Sequence, residues 1–208
     1  MSGPAQVKAK PATPRHAASL VLIRQGSDGP EVLMGRRPRK SAFAPDVFVF
    51  PGGKLDEADR MVRPAVPLSE ACIRLTAASR RLAHALAAAA LRETEEETGL
   101  ILPLASGAGA DFSHLTLIAR AITPPYRPKR FDARFFMAEA EHLISLERAP
   151  DCGELDEIAW VDLDEALALD LPNITRFVMH ELALRLEDPH RPAPFVRFLR
   201  GSRQLSYL

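Results

Sequence analysis

The sequence of 208 residues predicts an α/β sandwich. Short apolar segments rich in branched residues are separated by turn-forming residues, a pattern that is typical of strands. Two other segments begin with a serine that can cap a helix, and the longer of them ends at a glycine suited to a left-handed terminus. Because strands and helices follow one another in mixed order, the chain does not match a strictly alternating parallel fold.

The predicted strands start with a hairpin, since residues 17–24 and 31–35 flank the turn-forming stretch 25–30. Further strands are predicted at residues 47–50, 115–122, 131–138 and 157–161. Helices are predicted from the caps Ser69 and Ser79, over a short stretch after Asp162, and at residues 173–187. The stretch 54–67 is polar and broken by prolines, which predicts a loop, and the tail 189–208 is assigned no element.

Length and composition predict one domain at residues 17–208, preceded by a flexible leader at residues 1–16. Hydrophobic residues make up 47% of the chain, and the leader lacks the apolar segment of a signal peptide. Basic and acidic residues number 27 each, so no overall charge attracts nucleic acid or an anionic membrane. Cys72 and Cys152 form no C-x-x-C motif, which excludes a cysteine-built zinc site and suits the cytoplasm.

The most informative segment is the acidic end of the long predicted helix, residues 92–99. At about 100° per residue, Glu93, Glu96 and Glu97 continue the apolar stripe of this helix, whereas Glu95 points to the opposite side. The acids lie where the helix dipole is already negative, and their spacing makes them repel one another. Three carboxylates that project from a buried face require neutralisation.

A divalent cation is the neutralising partner that this pattern favours. Arg92 offsets one charge, and hard oxygen ligands select Mg²⁺ or Mn²⁺ for the rest. Two structural alternatives stay open on these residues alone. One is an exposed, solvated acidic face, and the other is a Ca²⁺ site that only stabilises the fold.

Residues 92–100, which read Arg-Glu-Thr-Glu-Glu-Glu-Thr-Gly-Leu, resemble the second half of a known signature. It is that of the Nudix hydrolase family, G-x5-E-x7-R-E-U-x-E-E-x-G-U, in which U is aliphatic; Thr94 stands in one of the aliphatic positions. Residues 50–54, Phe-Pro-Gly-Gly-Lys, resemble the lead-in to the same signature. The resemblance covers about residues 17–187 and implies an α/β/α sandwich around a mixed β-sheet.

An insertion at about residues 60–84 separates the two halves of the signature. Gly53 and Arg92 are 39 positions apart, where the signature has 14. Counting forward from Gly53 places Asp59 in the first glutamate position, whereas counting back from Arg92 places His84 there. The sequence leaves open which of the two residues, if either, takes that role.

The interrupted signature resembles the Nudix branch that includes peroxisomal coenzyme A diphosphatases, and so do residues 43–45 and 130–136. The resemblance implies hydrolysis of a nucleoside diphosphate linked to another moiety, with coenzyme A or an acyl derivative as the first substrate. ADP-ribose or a nucleotide sugar is the alternative substrate, and a non-catalytic nucleotide-binding module is the alternative class. The implied partner is a small molecule rather than nucleic acid or a membrane, and a homodimer is compatible with the family.

The resemblance also implies roles for individual residues. Glu93, Glu96 and Glu97 are expected to ligate Mg²⁺ or Mn²⁺ with help from the Gly53 carbonyl. Arg92 is expected to orient a carboxylate through a charge-assisted hydrogen bond. Several Nudix enzymes take a base or an additional ligand from a later loop, and Glu154 is the candidate for that role here.

Three cations are candidates for binding the substrate's phosphates. Arg36 and Arg37 belong to a basic stretch at residues 36–40, and Arg130 ends a proline-rich basic connector. Exposed, solvated clusters are the structural alternative for both segments. Asp132 and Arg134 share one face of a predicted strand, and we expect them to pair with each other.

Overall fold

The computed structural model describes residues 11–40, 45–100, 102, 109–142, 155–199 and 201–208. Its strands are β1 Arg15–Gln25, β2 Pro30–Arg36, β3 Phe48–Val49, β4 Gly52–Lys54, β5 Pro64–Val66, β6 Ala110–Asp111, β7 Thr116–Ile122, β8 Phe131–Glu139, β9 Asp156–Asp162, β10 Pro194–Leu199 and β11 Ser202–Tyr207. Its helices are α1 Glu70–Leu75, α2 Arg80–Thr98, α3 Leu163–Ala168 and α4 Asn173–Glu187. Two 3-10 turns, Ala58–Met61 and Ala140–His142, complete the described elements.

The main sheet is mixed and has the strand order β11-β10-β7-β8-β1-β2-β3, with β4 also paired to β1 and β9 to β2. The pairs β1–β8 and β7–β10 are parallel, and the other pairs of this sheet are antiparallel. β5 and β6 form a separate two-stranded sheet. The predicted α/β class, the mixed order and the β1–β2 hairpin are therefore confirmed.

Helices cover both faces of the sheet, because the central strand β1 is apolar on both sides. Leu20 and Leu22 pack with Phe136 and the alanine-rich side of α2. Val21 and Ile23, which point the other way, pack with α3 and α4. A strand buried on both faces reads as a continuous apolar run rather than as an alternating one.

The start and end of α2 agree with the sequence prediction. Ser79 accepts a hydrogen bond from the Leu82 N–H at 3.3 Å and caps the helix. Gly99 has a φ of 70°, a left-handed conformation that glycine adopts without strain, and donates its N–H to the Glu95 carbonyl. The fixed end matters because the acidic residues lie in the last two turns of this helix.

Three segments differ from the prediction. The stretch 54–67, predicted as a loop, contains a 3-10 turn and β5. The tail 189–208, which was assigned no element, contains β10 and β11, because pairing with β7 supplies the ladder that a proline- and arginine-rich sequence does not signal by itself. β1 begins at Arg15, two residues before the predicted strand. None of the described helices is long and apolar enough to cross a membrane.

Candidate functional site

The end of α2 packs against the glycine turn of β4. β4 pairs with β1 so that Gly53 lies opposite Ala18, and Gly52 donates its N–H to the Glu97 carboxylate at 2.8 Å. A Cβ at Gly52 would approach the Ala18 carbonyl oxygen to 2.6 Å, and a Cβ at Gly53 would overlap the Glu93 carboxylate. Gly52 therefore requires glycine, because backbone atoms of β1 leave no space for a side chain, whereas a side chain at Gly53 would displace the Glu93 carboxylate.

Glu93, Glu96 and Glu97 lie on the side of α2 that faces this turn, as their helical phase predicts. The Glu93 side chain is 15% exposed and the Glu96 side chain 53%, while Glu97 is buried. Glu95 points away from them and accepts a hydrogen bond from the Leu102 N–H at 2.7 Å. It is half-buried rather than fully solvated, and burial raises its pKa although the Leu102 N–H opposes the rise.

Arg92 joins the carboxylates to the rest of the turn. Its Nη1 lies 3.0 Å from Glu93 Oε1 and 2.8 Å from Glu96 Oε2. On its other side, Nε donates to Asp59 Oδ1 at 2.9 Å and Nη2 to Asp59 Oδ2 at 3.1 Å. The hydrogen bonds to Asp59 raise the pKa of Arg92 above its ordinary value. This guanidinium is therefore fixed in orientation and permanently charged.

Asp59 is the residue that the structure brings to Arg92, and His84 is not. Asp59 is only 2% exposed, and its Oδ2 also accepts the Asp56 N–H at 2.7 Å. The His84 ring instead lies near Phe112, with the two ring centroids 6.0 Å apart. Burial is the main cause that lowers the pKa of His84, and the positive charge of Arg80 lowers it further. The forward count from Gly53 thus identifies the carboxylate partner of Arg92, since the insertion follows Asp59 in the chain.

Among the described residues, the site contains more carboxylates than cations. Asp59, Glu93 and Glu96 contact the guanidinium of Arg92, and the Glu97 carboxylate accepts the Gly52 N–H one helical turn from Glu93. Burial raises the pKa of Glu93, Arg92 opposes the rise, and the nearby charge of Glu96 adds to it. We refer to Arg92 and these four acidic residues as the acidic cluster. Its net charge is the feature that a bound cation would balance.

The donor set of the acidic cluster fits a hard divalent cation, because carboxylate and carbonyl oxygens are the ligands that Mg²⁺ and Mn²⁺ prefer. Within the described residues, no three histidine, cysteine, aspartate or glutamate side chains already converge as a complete site. Arg92 now bridges Glu93 and Glu96. Because the Glu96 side chain is half exposed, it can change rotamer without repacking the core.

A basic pocket lies at the end of β2, with a volume of about 430 Å³. It is lined by Arg36, Arg37, Pro38, Arg39, Lys40, Asp46, Asp156 and Glu157. Arg36 forms ion pairs of 2.9 Å with both Asp46 and Glu157. Those two acids have positive φ angles of 59° and 48°, which non-glycine residues rarely adopt. Their pairing with Arg36 could not be predicted from the sequence, because Glu157 is 121 positions away.

Arg36 and Arg37 therefore differ in how far their charges are engaged. The charge of Arg36 is balanced by two carboxylates, which hold its side chain in place. The buried Nε atoms of Arg36 and Arg37 both lack a well-aligned hydrogen bond among the residues that the structure describes, but that of Arg36 lies 2.9 Å from Asp46 Oδ1, and no described ion pair involves Arg37. A buried donor without an acceptor is costly, so Arg37 is the more suitable of the two to receive an anion.

The remaining predicted residues are placed as follows. Arg130 does not line the pocket with Arg36 and Arg37; its guanidinium donates to the backbone carbonyls of Thr123 at 3.0 Å and Ala12 at 2.6 Å. Glu154 lies outside the described residues, but Leu155, which follows it, donates its N–H to the Glu97 carbonyl at 3.2 Å.

Asp132 and Arg134 pair as expected, at 2.9 Å, and Arg120 forms a bidentate pair with the same aspartate. Arg134 also donates to the Thr76 carbonyl at 3.4 Å, close to the end of α1. These contacts attach the inserted segment to the sheet. Both side chains are engaged by neighbouring residues of the fold, which is the arrangement that pairing between the two predicts.

Comparison with known proteins gives a consistent picture. The family model described as the NUDIX domain matches residues 14–182. A NUDIX hydrolase from Alicyclobacillus acidocaldarius is 29% identical, with a TM-score of 0.67 over 81% of this chain and 90% of the other. The NUDIX domain of Shewanella oneidensis NrtR, solved in complex with ADP ribose, is 14% identical, with a TM-score of 0.56 over 84% and 90%.

A MutT NUDIX hydrolase from Burkholderia pseudomallei is 22% identical, with a TM-score of 0.51 over 82% of this chain and 99% of that chain. Like the NrtR domain, it shares the fold, and at this identity the likeness extends no further. A comparison with curated proteins found no match.

Proposed function

Since the chain belongs to the Nudix family and is a hydrolase acting on pyrophosphate bonds, we propose that it cleaves a nucleoside diphosphate linked to another moiety. Glu93, Glu96 and Glu97 would hold Mg²⁺ or Mn²⁺ for this reaction, together with the Gly53 carbonyl. Coenzyme A or an acyl derivative is the first substrate that we propose, because the interrupted signature resembles the coenzyme A diphosphatase branch.

The acidic cluster carries this proposal. The Glu93 carboxylate lies against Gly53, the Glu97 carboxylate accepts the Gly52 N–H, and Arg92 connects Glu93 to Glu96. A solvated acidic face would not need this approach, because exposed carboxylates are stabilised by water alone. Within the cluster, the Glu96 side chain is half exposed and Glu97 is buried.

The residues around the cluster each have a defined part in positioning. Arg92 holds the carboxylates of Glu93 and Glu96, and Asp59 fixes the plane of the Arg92 guanidinium through two hydrogen bonds. The Gly52 N–H orients the Glu97 carboxylate. When bound, the divalent cation supplies polarisation of the phosphoryl oxygens and a lower pKa for the attacking water.

Glu154 is the residue that we propose as the base or additional ligand. Its neighbour Leu155 hydrogen-bonds to the Glu97 carbonyl, so the chain reaches the end of α2 directly after residue 154. Two residues after Leu155, Glu157 forms an ion pair with Arg36 at the basic pocket. One short segment thus links the acidic cluster to the basic pocket.

The basic pocket supports a substrate that carries a phosphate besides its diphosphate. The Nε of Arg37 is a buried donor without a hydrogen bond among the described residues, the exposed Lys40 adds positive charge, and Arg39 shares Asp46 with Arg36. Coenzyme A has a further phosphate on its ribose, whereas ADP-ribose has none. The pocket therefore favours the coenzyme A class over the ADP-ribose alternative.

The reaction is tested by measuring turnover of coenzyme A, acetyl-CoA, ADP-ribose, a nucleotide sugar and a dinucleoside polyphosphate with Mg²⁺, with Mn²⁺ and with EDTA. We expect metal-dependent release of phosphate-bearing products and its loss in Glu96→Gln and Glu97→Gln. Glu95→Gln is the matched control, because it lies in the same helix turn, contacts Leu102 instead of the cluster, and should retain turnover. Binding of a nucleotide without turnover of any compound would instead identify a non-catalytic module.

The substrate class is tested by comparing coenzyme A with dephospho-coenzyme A, which lacks the ribose phosphate. Arg37→Ala should raise KM for coenzyme A by about ten-fold, the loss expected when one charge-assisted hydrogen bond is removed. KM for dephospho-coenzyme A should change little. An equal rise for both compounds would show that Arg37 does not contact this phosphate.

A further inference from the structure

The strand β9 contains an additional residue where it pairs with β2. The register of this antiparallel ladder shifts by one residue between Met34 and Arg36, so two residues of β9 lie opposite the single residue Gly35. One of those two residues is Glu157, whose φ of 48° is left-handed. The left-handed position of such a β-bulge is typical of glycine, and strained residues of other types cluster at functional sites. The glutamate at this position is therefore a candidate for a function beyond strand pairing.

In this conformation, the carboxylate of Glu157 contacts the guanidinium of Arg36. Arg36 Nη1 donates to both carboxylate oxygens, at 2.9 Å and 3.2 Å. The Glu157 side chain is 60% exposed, so the ion pair is open to water at the basic pocket. An ion pair of this kind contributes little free energy and is readily exchanged for another. Glu157 thus holds Arg36 Nη1 through a contact that an anion can replace.

Asp46, the second carboxylate on Arg36, is held more firmly. Its Oδ1 lies 2.9 Å from Arg36 Nε, and its Oδ2 lies 3.4 Å from Arg39 Nε. The Asp46 N–H also donates to the Arg37 carbonyl at 3.0 Å, which fixes the backbone of this residue beside the pocket. Asp46 can therefore keep the Arg36 side chain in place when the carboxylate of Glu157 moves away.

We propose that Glu157 is an internal competitor for the substrate phosphate that the basic pocket receives. The inference rests on the proposed function, in which this phosphate binds at Arg37. In the free protein the carboxylate of Glu157 occupies Arg36 Nη1, and a phosphate oxygen takes its position on binding while Asp46 continues to orient the guanidinium. The phosphate can then accept hydrogen bonds from Arg36 and Arg37 together, because it has three acceptor oxygens.

This competition determines how much the phosphate contributes to the affinity for the substrate. A phosphate displaces the Glu157 carboxylate, so the net gain is the new contact less the ion pair that is lost. A ribose hydroxyl is neutral and leaves the ion pair with Arg36 intact. Glu157 therefore lowers the preference for a phosphorylated over a dephosphorylated substrate, and it is a specificity-determining residue for that choice. By returning to Arg36, it also favours release of a product that carries the phosphate.

The competition is tested by isothermal titration calorimetry of the full chain with adenosine 3′-phosphate, and with adenosine as the reference. The titrations are made without metal, so that the acidic cluster does not bind the phosphate. Glu157→Gln should tighten binding of adenosine 3′-phosphate about five-fold, the factor that corresponds to a well-aligned exposed ion pair. Binding of adenosine should not change.

Asp156→Asn is the matched control for Glu157→Gln. Asp156 lines the same pocket, and its substitution removes the same charge while Arg36 Nη1 keeps its contact with Glu157. Only the screened field of the lost charge then acts on the phosphate, so binding of adenosine 3′-phosphate should tighten by less than about two-fold. An equal effect of Asp156→Asn and Glu157→Gln would overturn the proposal, because it would show that displacement from Arg36 plays no part.

The strain at the bulge is tested by Glu157→Ala and Glu157→Gly. Both variants should bind adenosine 3′-phosphate as tightly as Glu157→Gln, because all three lack the carboxylate. Glu157→Gly should have the highest urea midpoint of the three, since glycine adopts a φ of 48° without strain. A midpoint of Glu157→Gly below that of Glu157→Ala would contradict the strain at this bulge.

In turnover, Glu157→Gln should lower KM for coenzyme A and leave KM for dephospho-coenzyme A unchanged. A carboxylate that only holds Arg36 in place predicts the opposite sign, since its loss would disorder the pocket. Weaker or unchanged binding of adenosine 3′-phosphate to Glu157→Gln would therefore overturn the proposal. Tighter binding of adenosine 3′-phosphate to this variant without hydrolysis of coenzyme A would refute the proposed function and still support the competition at Arg36.

Discussion

Two of the groups of charges that the described residues bury differ in how those charges balance. In the acidic cluster, three carboxylates contact one guanidinium and a fourth, that of Glu97, accepts the Gly52 N–H. In the second group, which we call the strand cluster, Asp132 is held between Arg120 and Arg134 on neighbouring strands. The strand cluster has two guanidinia for one carboxylate, and the backbone carbonyls of Thr76 and Asp132 accept further hydrogen bonds from Arg134. In the acidic cluster, by contrast, carboxylates outnumber cations among the residues that the structure describes.

The pKa values express the same difference. In the strand cluster, burial alone would raise the pKa of Asp132, but the hydrogen bond from Arg120 and the charge of Arg134 outweigh it and lower the pKa. In the acidic cluster, burial raises the pKa of Glu93 and Arg92 does not fully compensate. A buried charge that the fold satisfies is structural, and one that the fold leaves unbalanced is the better candidate for function.

The largest effect is expected from Glu97→Gln. Loss of a proposed ligand should lower kcat by more than about 100-fold, the upper end of what the loss of a ligand-orienting group costs. The free energy of unfolding without metal should not fall, because a repelling charge is removed and the amide oxygen can still accept the Gly52 N–H. Steady-state kinetics measures kcat, and urea unfolding measures the free energy of unfolding without metal. A variant that loses stability but keeps kcat would reverse our assignment of the two clusters.

A substitution in the strand cluster should lower the stability of the fold and leave turnover unchanged. Arg134→Met removes a cation that is 1% exposed from Asp132 and from the Thr76 carbonyl. The cost should be about 2 kcal/mol of unfolding free energy, less than the usual cost of breaking a buried pair because Arg120 still pairs with Asp132. Arg74→Met, an exposed arginine on α1, is the control and should cost little. Turnover of the folded Arg134→Met protein should stay close to that of the wild type.

Asp59→Asn tests whether Asp59 belongs to the acidic cluster as the residue that positions Arg92. It weakens the hold on the Arg92 guanidinium, so kcat should fall about ten-fold and the metal concentration for half-maximal rate should rise. His84→Gln, which changes the residue that the backward count selects, should leave both quantities unchanged. If His84→Gln lowers kcat and Asp59→Asn does not, Asp59 is not the positioning residue.

The smallest effect concerns pH. The folded pKa of Asp132 lies below its ordinary value of 3.8, so its stabilisation is fully present above that value and is lost as the pH falls through the folded pKa. The difference in unfolding free energy between wild type and Asp132→Asn should be constant from pH 7 to about 5 and narrow at lower pH. Urea unfolding of both proteins at each pH measures it. A difference that does not change with pH would show that Asp132 contributes only as a neutral hydrogen-bond acceptor.

Local signals predicted those parts of the molecule whose physical cause is local. The serine cap and the terminal glycine define α2, and the helical phase separates Glu95 from the three other glutamates. The hairpin of β1 and β2 follows from turn-forming residues between two apolar runs. By contrast, the sequence does not predict β10 and β11, because β10 depends on pairing with β7, and β11 on pairing with β10, rather than on composition.

The sequence by itself determined the α/β class, the Nudix signature and the direction in which the acidic residues of α2 project, since periodicity and capping act within a few residues. Only the tertiary structure decided that Asp59 rather than His84 contacts Arg92, and that Glu157 holds Arg36. Those contacts join residues tens of positions apart across an insertion or between strands. Burial and charge in the folded chain determine which residues form these contacts, and the spacing of residues along the sequence does not predict them.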